Sequence, residues 1–188
     1  NQTNKEACPM PFEFTVLNGL QQLHTPVMDA LAVFFNYAGE HGEIWIVCTL
    51  LLLLTRKNRR AGLAMAIALA LYLVVGDGIL KPLFARPRPC DLNPAVTLLV
   101  PRPHGWSLPS GHTSSAFAAS FALYRQNRPL GVAALLLAAF ISFTRLYLYV
   151  HFPTDVLAGV TVGIVLGIVG SWAANKLWER FAPQRTLS

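Results

Sequence analysis

The sequence predicts an all-α membrane protein, a bundle of six transmembrane helices preceded by a helix at the membrane interface. Composition is the first indication: 54% of the 188 residues are hydrophobic and only 13% are charged, whereas an ordinary soluble domain has about 25% charged residues. The mean hydropathy is +0.46. The second indication is that charges and prolines gather between long apolar runs rather than within them. This distribution is typical of a polytopic membrane protein and argues against a large soluble core.

Residues 1–24 are predicted to form a polar start followed by an amphipathic helix. The beginning, NQTNKEACPMP, lacks the charged and apolar regions of a cleavable signal peptide, so none is expected. Apolar and amide side chains then recur at helical spacing on opposite faces: Phe12, Val16, Leu20 and Leu23 on one, Asn18, Gln21 and Gln22 on the other. A helix with this pattern lies in the plane of the bilayer surface.

Six apolar runs follow, and each is predicted to form a spanning helix, which needs about 20 residues. The runs cover residues 25–39, 43–55, 61–80, 110–124, 130–149 and 153–175. The first is short and contains Asp29, and the second ends in the basic sequence TRKNRR. The longest connection, 81–109, is rich in proline and arginine. Because no internal repeat is visible, residues 1–188 are predicted to form a single domain.

The basic residues predict which side of the membrane each loop faces. One set of loops holds nine of them: Arg56, Lys57, Arg59, Arg60, Arg125, Arg128, Lys176, Arg180 and Arg185. The other set holds five: Lys81, Arg86, Arg88, Arg102 and Arg145. Since Lys and Arg are enriched in cytoplasmic loops, both termini are predicted to be cytoplasmic and the 81–109 loop to lie outside the plasma membrane. The net charge of +6 could also indicate nucleic-acid binding, but no such motif accompanies it, and no nucleic-acid partner is expected.

Five outward cations are more than this rule leads us to expect, and other polar residues lie beside them at the ends of apolar runs. The candidate site residues are Lys81, Arg88, Ser110, Gly111, His112, Arg145, His151 and Asp155. Alone, a helix-end cation is an ordinary lipid anchor, a serine is an ordinary cap, and Asp77 is a local partner for Lys81. Together at one membrane depth, cations, imidazoles and a carboxylate suit an anionic substrate that is attacked there. Helix N-termini favour phosphate, and glycine lets an oxygen approach the backbone, so the pattern predicts an oxyanion site.

Three motifs of this outer cluster match a known pattern. KPLFARPRP gives Lys81, six residues, then Arg88 and Pro89; PSGH is 109–112; and TRLYLYVHFPTD gives an arginine, five residues, a histidine, three residues and an aspartate. In order and spacing they resemble the three-part signature of the type 2 phosphatidic acid phosphatase family, the PAP2 superfamily. The motifs cover 81–155, and the six-span layout extends the likeness over the chain. One departure is Thr144, where the family usually has serine.

The resemblance implies a role for each candidate. His151 would attack phosphorus and form a phosphohistidine, and Asp155 would hold its imidazole in the right tautomer. His112 would protonate the leaving oxygen and then activate water. The phosphoryl oxygens would be bound by the other five candidates: Lys81, Arg88, Ser110, Gly111 and Arg145. No cofactor is implied, and the outward carboxylates are too few for a two-metal site.

The implied partner is a lipid phosphate in the bilayer. The outer loop also holds Arg86, Arg102 and His104, and cations beyond those needed for one phosphate would suit a second, unless they only anchor to headgroups. The small bacterial members that the chain resembles include phosphatases of undecaprenyl pyrophosphate, which is the expected substrate; phosphatidate and phosphatidylglycerophosphate are the alternatives. Two other classes are disfavoured. A transporter or scramblase would be expected to show an internal repeat, and a vanadate-dependent haloperoxidase would be soluble.

Overall fold

A computed structural model describes residues 11–181, and all regular secondary structure in that range is helical. The helices are α1 (Pro11–Gln21), α2 (Pro26–Ala38), α3 (Glu43–Leu54), α4 (Arg59–Tyr72), a π-helix (Leu73–Leu80), α5 (Lys81–Phe84), α6 (Pro89–Leu92), α7 (Gly111–Gln126), α8 (Arg128–Tyr147) and α9 (Pro153–Phe181). The predicted all-α class is confirmed. The sequence did not predict the π-helix, a form that is frequent at functional sites; it leads directly into Lys81.

Every apolar run forms a helix, but the predicted count of six spanning helices is not confirmed. Three helical stretches of the described chain are long and apolar enough to cross a membrane: Arg59–Leu92, Arg128–Tyr147 and Pro153–Phe181. Helices α2 and α3 pass the same test only as a pair, and they are bent by 62° relative to each other. Helix α7 has 16 residues, which is short for a span.

Helix α7 is short and rich in small residues because it lies at the centre of the bundle. It packs against α4, α8 and α9, and most of its serines and alanines are buried. A helix enclosed by other helices needs no apolar face toward lipid, and small side chains let its neighbours approach closely. Sequence hydropathy therefore understates how deeply this helix is embedded.

Helix α9 approaches α7 along a row of glycines at four-residue spacing. A Cβ added at Gly163 would lie 2.7 Å from the carbonyl oxygen of Ser114, and Gly159 and Gly167 are similarly close to α7. The close approach aligns the first turns of the two helices, where the backbone N–H of Ser110 donates to the carbonyl of Asp155 at 3.1 Å. Two of the predicted motifs are thereby brought together.

Helix α1 packs on the connection between α8 and α9. Leu17 forms a small buried cluster there with Tyr149 and Phe152. The predicted apolar face points away from the bundle, since Phe12 is 49% and Val16 41% exposed. The face that packs on the protein instead carries the fully buried Glu13, which the helical pattern did not single out.

Candidate active site

The three motifs meet at one end of the bundle around a cavity of about 610 Å³. Its lining includes six of the predicted residues: Lys81, Arg88, Gly111, His112, Arg145 and His151. The other two, Ser110 and Asp155, are fully buried behind the wall. The hydroxyl of Ser110 accepts a hydrogen bond from Thr113 and is not part of the lining, so a direct phosphate contact by this side chain is not supported.

His151 has a defined tautomer. Its Nε2 lies 3.0 Å from Nη1 of Arg88, and because a guanidinium can only donate, Nε2 must carry the lone pair and Nδ1 the proton. Nδ1 lies 3.3 Å from the hydroxyl of Ser107 and 3.7 Å from Oδ2 of Asp155. Burial, and then the Arg88 cation, lower the pKa of His151 to about 3, against the opposing effect of Asp155. The imidazole is therefore neutral near pH 7, which is the form that can act as a nucleophile.

The Asp155 carboxylate is fixed at both oxygens. Oδ1 accepts from Nη1 of Arg86 at 2.6 Å. Oδ2 accepts from the hydroxyl of Ser107 at 2.5 Å and from the backbone N–H of Phe152 at 2.8 Å. Ser107 thus lies between Asp155 and His151, and its hydroxyl can pass the effect of the carboxylate to the imidazole.

His112 is oriented by helix α2. Its Nε2 lies 3.1 Å from the carbonyl oxygen of Asn36, and since a carbonyl only accepts, Nε2 carries the proton and Nδ1 is the basic nitrogen. Helix α2 can come this close because of Gly39, where an added Cβ would lie 3.1 Å from the His112 ring. Asn36 therefore couples α2 to the second predicted imidazole.

The Arg145 guanidinium is buried beside the cavity and only partly satisfied. Its Nη1 donates to Oδ1 of Asn36 at 2.8 Å, while its Nε is buried without a hydrogen-bond partner. A buried cation with an unused donor is costly, and an anion in the cavity would remove that cost. The hydroxyl of Thr144, in contrast, donates to the carbonyl of Ile141 at 2.7 Å and is turned away from the cavity.

The other two cations of the lining are held in different ways. Arg88 donates to the carbonyls of His104, Gly105 and Trp106, so the outer loop fixes its guanidinium. The Nζ of Lys81 lies 2.5 Å from Oδ1 of Asp77, the local partner that the sequence suggested. A phosphate would therefore meet a rigid guanidinium and a lysine that can exchange partners.

The two arginines proposed to contact a second phosphate differ in position. Arg102 lines the cavity, half-exposed, with its Nη1 donating to the carbonyl of Cys90 and to Asp91. Arg86 is buried, and its guanidinium is occupied by Glu13 and Asp155, each at 2.6 Å. Arg86 therefore lies outside the cavity lining and is already paired with two carboxylates, so the structure does not support it as a phosphate contact.

Sequence reasoning missed three residues that shape the site. Asn36 is an amide within an apolar run, and a polar residue inside a predicted membrane helix often marks a functional site. Ser107 lies three residues before Ser110 in the same loop, but nothing distinguishes it from an ordinary loop serine. Glu13 gave no signal, because its partners are more than 70 residues away in the chain.

Comparison with known proteins agrees with this geometry. The family model of the PAP2 superfamily matches residues 59–179. An undecaprenyl-diphosphatase of Sulfolobus acidocaldarius is 30% identical over 146 residues, which are 77% of this chain and 66% of that protein. A lipid A 4'-phosphatase of Bacteroides thetaiotaomicron is 31% identical over 173 residues, 84% of this chain and 75% of that protein.

A solved structure has the same fold. The crystal structure of LpxE from Aquifex aeolicus superposes with a TM-score of 0.76 at 28% identity, covering 88% of this chain and 98% of that one. The family model alone matches more than half of the chain, and the named relatives are phosphatases. The chain therefore belongs to the PAP2 superfamily and is a membrane phosphatase of that type.

Proposed function

We propose that this protein hydrolyses a lipid phosphate through a phosphohistidine on His151, and that undecaprenyl pyrophosphate is its substrate. The observation that carries the proposal is the neutral imidazole at the cavity wall, with its Nε2 lone pair beside Arg88. Nε2 attacks the terminal phosphorus, and the bond from phosphorus to the leaving oxygen breaks. His112, protonated on Nδ1 as well when the substrate is bound, gives that oxygen the Nδ1 proton, and Nδ1 then takes one from the water that attacks the phosphohistidine. Inorganic phosphate leaves, and both imidazoles return to their starting states.

The cations of the lining supply the electrostatic part of this reaction. Lys81, Arg88 and Arg145 border the same cavity, and donors aimed at oxygens that gain charge in the transition state are often the largest catalytic term. The unused Nε of Arg145 is a ready donor for one phosphoryl oxygen. Since these cations stabilise the charge and His151 is the nucleophile, the proposed reaction uses no metal ion or other cofactor.

A lipid substrate is supported by the apolar part of the cavity. Ile46 of α3, Leu69 of α4 and Leu73 of the π-helix belong to its lining. Ile46 is 46% and Leu73 61% exposed, so the lining includes apolar surface that a hydrocarbon chain can cover. A phosphate can lie among the cations while its hydrocarbon chain contacts these apolar side chains.

The choice of a prenyl diphosphate rests on the outer loop and on one relative. Arg102 and His104 also border the cavity and can meet a second phosphate beyond the first. The Sulfolobus relative is named for undecaprenyl diphosphate, whereas the equally similar Bacteroides relative is named for lipid A. A lipid A phosphate is therefore a competing substrate, beside phosphatidate and phosphatidylglycerophosphate.

We expect purified protein in EDTA to release phosphate from undecaprenyl pyrophosphate with a higher kcat/KM than from lipid A, phosphatidate or phosphatidylglycerophosphate. Arg102→Ala should lower kcat/KM for the diphosphate by about 10-fold, the loss of one charge-assisted contact, with little effect on monophosphates. Arg128→Ala, an exposed arginine at the far end of the bundle, is the matched control. A preference for any of the three other lipids would contradict the choice of substrate.

We further propose that the active site lies on the outer face of the membrane, with α1 in the outer interface beside it and the end of α9 in the cytoplasm. Five crossings fit this arrangement, with α2 and α3 together forming one bent crossing, whereas six crossings after α1 would place α1 and the end of α9 on the same side. The arginine-rich turns that follow α3 and α7 support this orientation. They lie together at the end of the bundle remote from the cavity, where Nδ2 of Asn127 donates to Oδ1 of Asn58 at 3.4 Å. Phe12 and Val16 are free to enter the lipid surface.

The orientation can be tested by labelling in intact cells. In a background with Cys8, Cys48 and Cys90 replaced by serine, His104→Cys should react with a membrane-impermeant maleimide. Lys57→Cys should react only after the membrane is permeabilised. Both positions are exposed in the structure, so the opposite labelling would refute the orientation.

A further inference from the structure

Helix α1 brings a buried carboxylate to the back of the active site. Glu13 is 0% exposed, although most side chains of this helix are exposed or half-buried. Its Oε2 accepts from Nη2 of Arg86 at 2.6 Å, and its Oε1 accepts from the hydroxyl of Thr154 at 2.5 Å. A carboxylate taken out of water at this position is stable only because it is paired and hydrogen-bonded.

Arg86 joins this carboxylate to the one in the active site. Its Nη1 donates to Oδ1 of Asp155 at 2.6 Å and to the hydroxyl of Thr154 at 2.7 Å. Its guanidinium also lies over the Phe152 ring, 4.2 Å from the centroid. The result is a buried row of carboxylate, cation and carboxylate that runs from α1 to the first turn of α9.

We propose that Glu13 and Arg86 are positioning residues for the hydrolysis, holding Asp155 in the orientation in which it acts on His151. This rests on the proposed function and deepens it, since neither residue needs to touch the substrate. Arg86 anchors Oδ1 of Asp155 and so prevents the carboxylate from turning. Oδ2 is then left facing the Ser107 hydroxyl, which lies 3.3 Å from Nδ1 of His151.

Glu13 is needed because Arg86 would otherwise be held less firmly. The guanidinium has one nitrogen on each carboxylate, and its Nε has no partner. Without Glu13, Nη2 of the guanidinium would lose its carboxylate partner. Asp155, the Thr154 hydroxyl and the Phe152 ring would be left to hold it. Without Arg86, two buried carboxylates would face each other with no cation between them, and such a pair readily shares a proton.

This predicts opposite pH effects for the two residues. The charged groups around Asp155 are Arg86 and Arg88 from the outer loop, Glu13 from α1, and the titratable His151. Arg86→Met removes the nearest cation, so Asp155 is protonated more easily and the acid limb of kcat should move to higher pH. Glu13→Gln removes a nearby negative charge and should move that limb to lower pH.

The size of the effects separates positioning from catalysis. Loss of a triad carboxylate itself costs about 10⁴-fold in kcat, whereas loss of a residue that orients a catalytic group costs about 10- to 100-fold. We expect Arg86→Met to lower kcat by about 10- to 100-fold with KM nearly unchanged. Arg86→Lys should restore part of the rate, because a cation returns to the row.

The double variant Glu13→Gln with Arg86→Met makes the test specific. Once Glu13 is neutral, no second carboxylate of the row faces Asp155, and the acid limb should return toward its wild-type position. Glu179→Gln, at an exposed pair with Lys176, is the control for loss of a glutamate charge. If Arg86→Met does not fold, Glu13→Gln still reports the shift of the acid limb to lower pH, and Arg86→Lys, which keeps the cation, should leave the acid limb near its wild-type position.

The outcomes also distinguish this inference from the proposed function. If wild-type protein releases phosphate and the Arg86→Met and Glu13→Gln variants keep its pH profile, or the double variant is worse than Arg86→Met at every pH, the two residues are merely structural and the inference is overturned. If wild-type protein hydrolyses none of the lipid phosphates, the proposed function fails and this inference falls with it.

Discussion

His151→Ala is expected to abolish phosphate release, with a loss of about 10⁶-fold, as when a covalent nucleophile is removed from a hydrolase. The Nε2 of His151 is the unprotonated nitrogen held beside Arg88 at the cavity wall. Water could enter the space left by the ring, but it would lack the fixed position and the basic nitrogen. The variant should still bind substrate, because Lys81 and Arg145 remain.

The measurement is phosphate release together with trapping of the intermediate. A phosphoramidate on histidine survives alkali and is lost in acid, so labelled wild-type protein quenched in base should retain phosphate, whereas His151→Ala should not. His24→Phe is a matched control, since it removes a histidine elsewhere and keeps the ring that stacks on Tyr147, 4.2 Å away. Near-normal release by a folded His151→Ala protein would remove the nucleophile from the mechanism.

The sequence allowed most of the cavity wall to be predicted because its motifs are local. His151 and Asp155 are four residues apart, and PSGH places Gly111 and His112 at the start of one helix. Residues this close in the chain lie near each other however the other helices pack.

The supporting residues could not be predicted in this way. Glu13 and Asn36 act from α1 and α2, and which motif residue each one meets depends on how those helices pack. The helical pattern of α1 indicated only a lipid-facing side, and the buried face carrying Glu13 became apparent from its contacts with Arg86 and Thr154.

Residue type and loop position were insufficient to predict which way the side chain of Arg86 points. Arg86 lies two residues before Arg88 in RPRP, in a stretch that is not helical. In a regular strand, successive side chains alternate sides, so residues two apart point to the same side. The prolines of RPRP prevent a regular strand here, so Arg86 and Arg88 need not point to the same side. One guanidinium therefore borders the cavity, and the other turns back toward Asp155.

The bundle was predictable at the level of helices and less so at the level of spans. Apolar runs identified the helices because burial in lipid and burial in protein both select apolar residues. Helix α7 is enclosed by protein and uses small residues, while α2 and α3 are short and bent. Hydropathy alone cannot distinguish a short enclosed helix from a lipid-facing span, so the number of crossings stays a proposal.

His112→Ala is expected to lower steady-state hydrolysis of a lipid phosphate by about 10⁴-fold, because general acid–base catalysis is worth about 10²–10⁴-fold and His112 is proposed to act in both steps. Nε2 of His112 donates to the carbonyl oxygen of Asn36 at 3.1 Å. Nδ1 is left to exchange a proton with the leaving oxygen and with water. The two steps can be separated by the choice of leaving group.

An aryl phosphate with an acidic phenol does not need a proton from the enzyme when it leaves. With such a substrate, His112→Ala should phosphorylate His151 at a rate near that of the wild type and then stall, since no base activates water. A burst of one phenol per protein and an alkali-stable phosphoenzyme are expected, while the double variant with His151→Ala gives neither. If His112→Ala were equally slow on lipid and aryl phosphates and accumulated no phosphoenzyme, His112 would not be the acid and base. Its bond to Asn36 would then serve only to hold α2 against α7.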